Sequence, residues 1–174
     1  AIGQGSTVDA GGNVAVLASD ITRTATLAGS VSVGLGGAGI GGSIGLTLVT
    51  KDTEASIADG AVVNALGNSA DLTEFAGSDF STTRAGRGVL VEANSNESLF
   101  TLGIAGAGGF YGGVAGDLTI ELVDTTTLAW IGTGASINAT NAGANSAQDV
   151  TVTARDSTSL AANDGAVSGS AGAA

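Results

Sequence analysis

The residues able to do chemistry in this chain are few, and nearly all of them are carboxylates. Asp52 and Glu54 fall on one face of an extended segment, and Asp71, Glu74 and Asp79 lie close together beside Phe75 and Phe80. Two converging carboxylates can perform general acid–base hydrolysis, as in solenoid enzymes that degrade polysaccharides. The positions matching Asp52 and Glu54 in a second copy of the local pattern hold Thr126 and Leu128, so the pair reads as strand surface. The group at 71–79 offers oxygen ligands of the kind calcium takes. It lacks EF-hand spacing and the GGxGxD repeat, which favours a solvated loop tip. The chain contains neither His nor Cys, and this excludes Ser-His-Asp and Cys-His catalysis, His-based zinc sites and thiol redox chemistry within it. The expectation is therefore no enzyme and no cofactor, with Asp71, Glu74 and Asp79 the one calcium candidate.

Two further motifs have a bland and a functional reading. GLGGAG at 34–39 matches a dinucleotide-binding fingerprint, but the strand-like IGGSIGLTLV follows it where a helix N-terminus is needed. Residues 24–50 carry no charge and are long enough to span a membrane. Glycine interrupts the run, its large apolar residues alternate, and the matching copy contains Asp117 and Glu121, so a buried strand pair joined by a tight bend is expected, with no membrane insertion. Thr22, Thr24 and Thr26, like Thr151 and Thr153, put hydroxyls on one strand face in the manner of ice-binding arrays, although no regular rows follow.

The elements that must position these residues form a repeat. IGQGSTVDA at 2–10, IADGAVVNA at 57–65 and IGTGASINA at 131–139 are three versions of one segment. A second element follows each: NVAVLASD at 13–20, GVLVEANS at 88–95 and DVTVTARD at 149–156, where Val14/Val16, Val89/Val91 and Val150/Val152 alternate as a half-buried strand requires. Units of about 13–65 and 88–139 and a partial unit at 149–174 result, with an insertion at 66–87. Val31/Val33/Leu35, Ile44/Leu46/Leu48, Phe100/Leu102/Ile104 and Leu118/Ile120/Leu122 alternate in the same way. No apolar stripe of helical period appears, and Gly is 30 of 174 residues, so little or no α-helix is expected.

The expected fold is all-β: a parallel β-solenoid forming one repeat-built segment over 1–174, stacked in coils of about 18–20 residues. An antiparallel β-sandwich of repeated units is the alternative, kept open by Asp59-Gly60 and Asp164-Gly165. The absence of proline suits stacked coils, in which every backbone N–H is needed by the next. Gly5, Gly60 and Gly134 are expected to supply turn geometry, and Asp9, Asn64 and Asn138 a polar corner. The chain reads as a piece excised from a longer one. A net charge of −11 opposes nucleic-acid binding.

The pattern Ile-x-x-Gly-Ala-x-Val/Ile-Asn-Ala followed by Asn-Val-x-Val-x-Ala resembles the repeat region of large Gram-negative filamentous surface adhesins of the haemagglutinin and leukotoxin type, over most of the chain outside 66–87. The resemblance implies a right-handed parallel β-helix, extracellular or at the cell surface, and no catalytic residues. It makes a structural stalk the first expectation, with neighbouring repeats of the same chain as its partners. The alternatives are a module binding a host or cell-surface protein or glycan, through the insertion or through Phe75, Phe80, Phe110, Tyr111 and Trp130, and a subunit that self-associates end to end.

Overall fold

Short β-branched and glycine-rich segments without proline leave the backbone free to pair over long stretches, and in the computed structural model it does so. The structure describes residues 1–75 and 80–172. Among them are ten strands and no helix: β1 Thr7–Ala10, β2 Val14–Gly34, β3 Ala38–Ile57, β4 Val62–Ala65, β5 Leu72–Phe75, β6 Thr83–Gly86, β7 Gly88–Gly109, β8 Gly112–Ile131, β9 Ser136–Ile137 and β10 Asp149–Ser170. The sheets run β1-β4-β9, β10-β7-β2, β3-β8 and β5-β6. The chain divides into two compact units: Ala1–Ile21, Lys51–Asn96 and Thr125–Ser157, and then Thr22–Thr50, Glu97–Asp124 and Thr158–Ala174.

The first unit is built on the repeat. β1, β4 and β9 pair in parallel and in the register of the sequence alignment, Thr7 with Val62, Ala10 with Ala65, Val62 with Ser136 and Val63 with Ile137. Ile2 bridges Ile57 in the same sense. Ladder bonds such as Val62 N–H to Ser6 O and Ser136 N–H to Ala61 O, both 2.8 Å, tie one copy to the next. Equivalent side chains thus stack: Val63 is fully buried between Val8 and Ile137, and Ile57, Val89, Val91 and Ala93 complete the same core. Each such aliphatic side chain contributes about 1.5–3 kcal/mol by leaving water. Gly5, Gly60 and Gly134 have φ of 65°, 66° and 71°, so the repeated glycine does supply a left-handed turn.

Two expectations are corrected here. Successive rungs are not 18–20 residues apart: Asp9 meets Asn64 across 55 residues and Asp59 meets Thr133 across 74. One rung is therefore one whole repeat, because strands of 20–22 residues consume the length that several short coils would have used. An antiparallel sandwich of repeats is likewise not what forms, since the repeat ladder is parallel.

The second unit reverses the expected sidedness. Along β3, Gly39, Gly41, Gly45 and Thr47 are buried, and Ile40, Ile44, Leu46 and Leu48 face out, Ile44 at 76 % exposure. β8 turns Asp117, Thr119 and Glu121 inward and Leu118, Ile120 and Leu122 outward. On β2, Thr24, Thr26, Ser30 and Ser32 are half-buried while Leu27, Val31 and Val33 are exposed. The buried strand pair expected for 24–50 is thus inside out. The cause is the spacing of the layers: a Cβ on Gly39 or Gly41 would overlap the carbonyl of Gly108 or Gly106. At those two positions only glycine fits, and most of the side chains turned inward around them are small or polar. Thr26 and Thr47 share a hydrogen bond of 3.0 Å, Ser43 donates to Asp117, Thr101 to Glu121, Thr119 to Asp164 at 2.5 Å and Thr158 to Glu97 at 3.0 Å. Ser30 Oγ and Asp117 Oδ2 are buried there with no hydrogen-bond partner.

Candidate functional site

The insertion after Ala65 carries the densest set of charged and aromatic side chains, and all of its described residues lie in the first unit. β5 and β6 form an antiparallel hairpin pairing Leu72 with Gly86 and Glu74 with Arg84. The start of β7 is buried on both faces from Gly88 to Ser95. Val89, Val91 and Ala93 join the repeat core. Glu92 reaches the insertion from this segment, its Oε2 accepting the Phe75 N–H at 3.2 Å, and Oε1 accepts from Asn94 Nδ2 at 2.6 Å.

Arg155 on β10 completes the arrangement. Its Nη1 lies 3.3 Å from Glu92 Oε2 and 3.5 Å from Asn94 Oδ1, its Nη2 donates to the Phe75 carbonyl, and its guanidinium sits 5.9 Å from the Phe75 ring centroid. The side chains of Arg155 and Glu92 are 7 % and 5 % exposed. A charge so far from water must be paired, and this pair ties the hairpin to β7 and β10.

The calcium candidates are held by arginines. Glu74, itself buried, takes Arg84 Nε at 2.8 Å, and Asp71 takes Arg87 Nε at 2.5 Å. Arg87 also donates to the carbonyls of Gly67 and Ser69, and Arg84 to Thr151 Oγ1. Asp79 lies outside the described residues. Among the described residues no group of three or more His, Cys, Asp or Glu is placed to hold a metal ion.

Of the five aromatic candidates, Phe75, Phe80 and Trp130 belong to the first unit and Phe110 and Tyr111 to the second. Phe75 and Phe80 meet edge to face at 5.6 Å inside the insertion. Phe110 and Tyr111 meet edge to face at 5.0 Å in the turn between β7 and β8, in the second unit, with Tyr111 78 % exposed. Trp130 donates from Nε1 to Glu54 Oε1 at 3.0 Å.

The repeat corner opens a depression of about 540 Å³ lined by Thr7, Asp9, Val62, Asn64, Leu66 and Thr140 among others. Its polar groups answer one another: Asn64 Nδ2 donates to Asp9 Oδ1 at 2.7 Å, Thr140 N–H to Asn64 Oδ1 at 3.2 Å, and Ala65 N–H to Asn138 Oδ1 at 2.8 Å. This is the polar corner expected from the repeat. Asn138 holds φ at 52°, a conformation Asn tolerates better than residues without a short polar side chain. Asn138→Ala combines a positive φ with loss of the bond to Ala65, and is expected to cost about 1–3 kcal/mol by urea unfolding, with Asn138→Gly recovering part of it.

Glu92, Asn94 and Arg155 were not among the sequence candidates. Their signal was nonetheless present: Glu92 stands where the first copy has Leu17 and the third Thr153, and Arg155 is the one cation after Arg87. Departures from the repeat mark the rungs that touch the insertion. No family model, curated protein or solved structure matches the chain.

Proposed function

We propose that this chain is a structural segment of the stalk of an extracellular bacterial adhesin or surface filament, without catalysis, whose repeats stack as a right-handed parallel β-solenoid. The observation that supports this reading most is the in-register parallel ladder of β1, β4 and β9, in which each repeat supplies one rung and buries its valines and isoleucines against the next. A one-dimensional stack of this kind lengthens by adding copies and needs no other partner than its neighbours. The insertion supports the same reading. Its described acids, Asp71 and Glu74, are paired with its own arginines, and its backbone is fastened at Phe75 to Glu92 on β7 and Arg155 on β10, which makes it a cover for Glu92 more than a presented loop.

The test compares the full chain with two kinds of variant. Alanine at Phe80, Tyr111 and Trp130 together is expected to leave adherence of chain-coated particles to host cells, or its absence, within twofold of the parent. An added copy of residues 57–130 is expected to raise the unfolding midpoint, because each new rung brings one more interface. Lost adherence in a folded triple variant would overturn the stalk reading and assign recognition to those aromatics.

A further inference from the structure

We infer that the second unit holds an open seat for one more β-strand, formed by the free edge of β8 and the bare face of β10, and that its occupant is a strand of β8's own pattern from a further repeat. This rests on the reading of the repeats as stacking units, and it adds where the next one attaches and by what pattern. Two incomplete surfaces meet at this place. Among the described residues β8 pairs with β3 alone, so its other edge is open, whereas β10 is paired with β7 and lacks cover on its face.

The neighbouring strand β7 shows what full cover does. Two strands that return from a turn lie over it: β3 brings Gly41 to the Gly106 carbonyl and Gly45 to Thr101, and β8 brings Asp117 to Gly103 and Glu121 to the Thr101 hydroxyl. Leu99, Thr101, Ala105 and Ala107 are accordingly between 1 % and 7 % exposed. β10 meets β8, by the bond from Thr119 to Asp164, and no second return strand lies beyond it among the described residues. Thr158, which donates to Glu97, and Asp164 mark the inner face of β10, and alternation adds Leu160 and Ala162 to it. All four are exposed, Leu160 at 53 % where Leu99 on β7 is at 2 %. The difference between those two leucines is one return strand.

Three features select the occupant. The first is the equivalent seat one rung earlier, formed by the edge of β3 and the face of β7, which β8 itself fills. Ser43 lies beside Asp117 and Gly45 beside Thr119, so β3 and β8 run parallel, and a strand of the same pattern can pair with β8 as β8 pairs with β3. The second is the edge. Residues 112–124 contain no Lys, Arg or Pro, the residues that keep an exposed edge from accepting another strand. The third is the face. Residues 158–170 hold a single charge, Asp164, in a run of Ser, Ala and Gly with few large side chains, the makeup of the buried stretch of β7 and not of a strand turned to water. Small residues there leave room for a second backbone to approach, as Gly39 and Gly41 do beneath Gly108 and Gly106. The occupant therefore carries Gly, Ser, Thr or a short acid at its inward positions and aliphatic side chains at its outward ones.

The probe is a synthetic peptide with the sequence of residues 112–124, added to the full chain. The expected result is one peptide bound per chain by calorimetry, with amide exchange slowed in residues 112–124 and 158–170 of the chain and unchanged in β4. Two further peptides carry backbone N-methyl groups, one on residues 117, 119 and 121 and the other on residues 118, 120 and 122. Alternate residues of a strand aim their N–H groups at opposite neighbours, so one of the two is expected to bind like the parent peptide and the other at least about tenfold more weakly. Leu160→Lys in the chain is expected to weaken the parent peptide by a similar factor, while unchanged exchange in the first unit reports that the chain still folds. A peptide that does not bind overturns the proposal, as does equal binding by the two methylated peptides or binding untouched by Leu160→Lys. Protection of β8 that rises with chain concentration in the absence of peptide also overturns it, and marks a second copy as the occupant. If the peptide fails while an added copy of residues 57–130 still raises the unfolding midpoint, the stalk reading stands and this inference alone falls.

Discussion

Arg155→Met is expected to destabilise the first unit by about 3–5 kcal/mol, the usual cost of leaving one half of a buried ion pair behind. Glu92 would keep its bonds from the Phe75 N–H and Asn94 but lose its cation at 5 % exposure, and the Phe75 carbonyl would lose its guanidinium donor. Against a total of about 5–15 kcal/mol for a typical domain, that is a large share. The double variant Glu92→Leu with Arg155→Met removes both charges and is expected to be more stable than Arg155→Met alone, because desolvating an unpaired carboxylate costs more than the pair gains. Urea unfolding of the four members of this cycle gives the coupling directly. Hydrogen exchange adds the location: amides of β5 should open in Arg155→Met before those of β4. A double variant less stable than the single one would mean that Glu92 stabilises through its bonds from the Phe75 N–H and Asn94 even without its cation.

The register of the repeat was legible, though not the length of its rungs, and for a physical reason. Parallel rungs place equivalent residues beside one another, so the alignment of Ile2 with Ile57, of Val8 with Val63 and of Asp9 with Asn64 is also the hydrogen-bonding register. Alternation marked the strands correctly as well, including Ile44/Leu46/Leu48 and Leu118/Ile120/Leu122. What alternation cannot say is which of its two faces meets the partner sheet. Assigning the apolar set to the inside is the default of water-soluble sheets, and in the second unit that default failed. The decisive signal was the opposite set: Gly39, Gly41, Ser43, Gly45 and Thr47 are too small to be a solvent face chosen for polarity and are the right size for two backbones in close approach.

The candidate site was legible by position and not by role. Acids and phenylalanines concentrate in 66–87, yet the partners of Phe75, Glu92 and Arg155, sit outside it on the repeat strands β7 and β10. A cation and a carboxylate at positions that the strand pattern buries are expensive unless they meet. Their shared presence is thus itself a contact prediction, between rungs that the repeat alignment already placed side by side.

Adjacent glycines give the sharpest test of the inverted unit. Gly41→Ala is expected to cost about 3 kcal/mol or more, because its Cβ would overlap the Gly106 carbonyl and stand 3.1 Å from the carbonyl carbon. That obstacle is backbone of β7, held between β2 and β10, so no rotamer change relieves it. Gly42→Ala, one residue on, meets nothing closer than the Gly116 carbonyl at 3.7 Å and should be neutral or stabilising by up to about 1 kcal/mol, through loss of unfolded-state freedom. Hydrogen exchange resolved by segment should show Gly41→Ala losing protection in β3 and in β7 beyond Glu97, with β4 unchanged, and Gly42→Ala resembling the parent. If the large apolar residues in fact packed inward, the two outcomes would exchange, with alanine tolerated at 41 and excluded at 42. The pair therefore reads the sidedness of the sheet directly, and with it the premise that Ile44 and Leu46 are available to anything outside the chain.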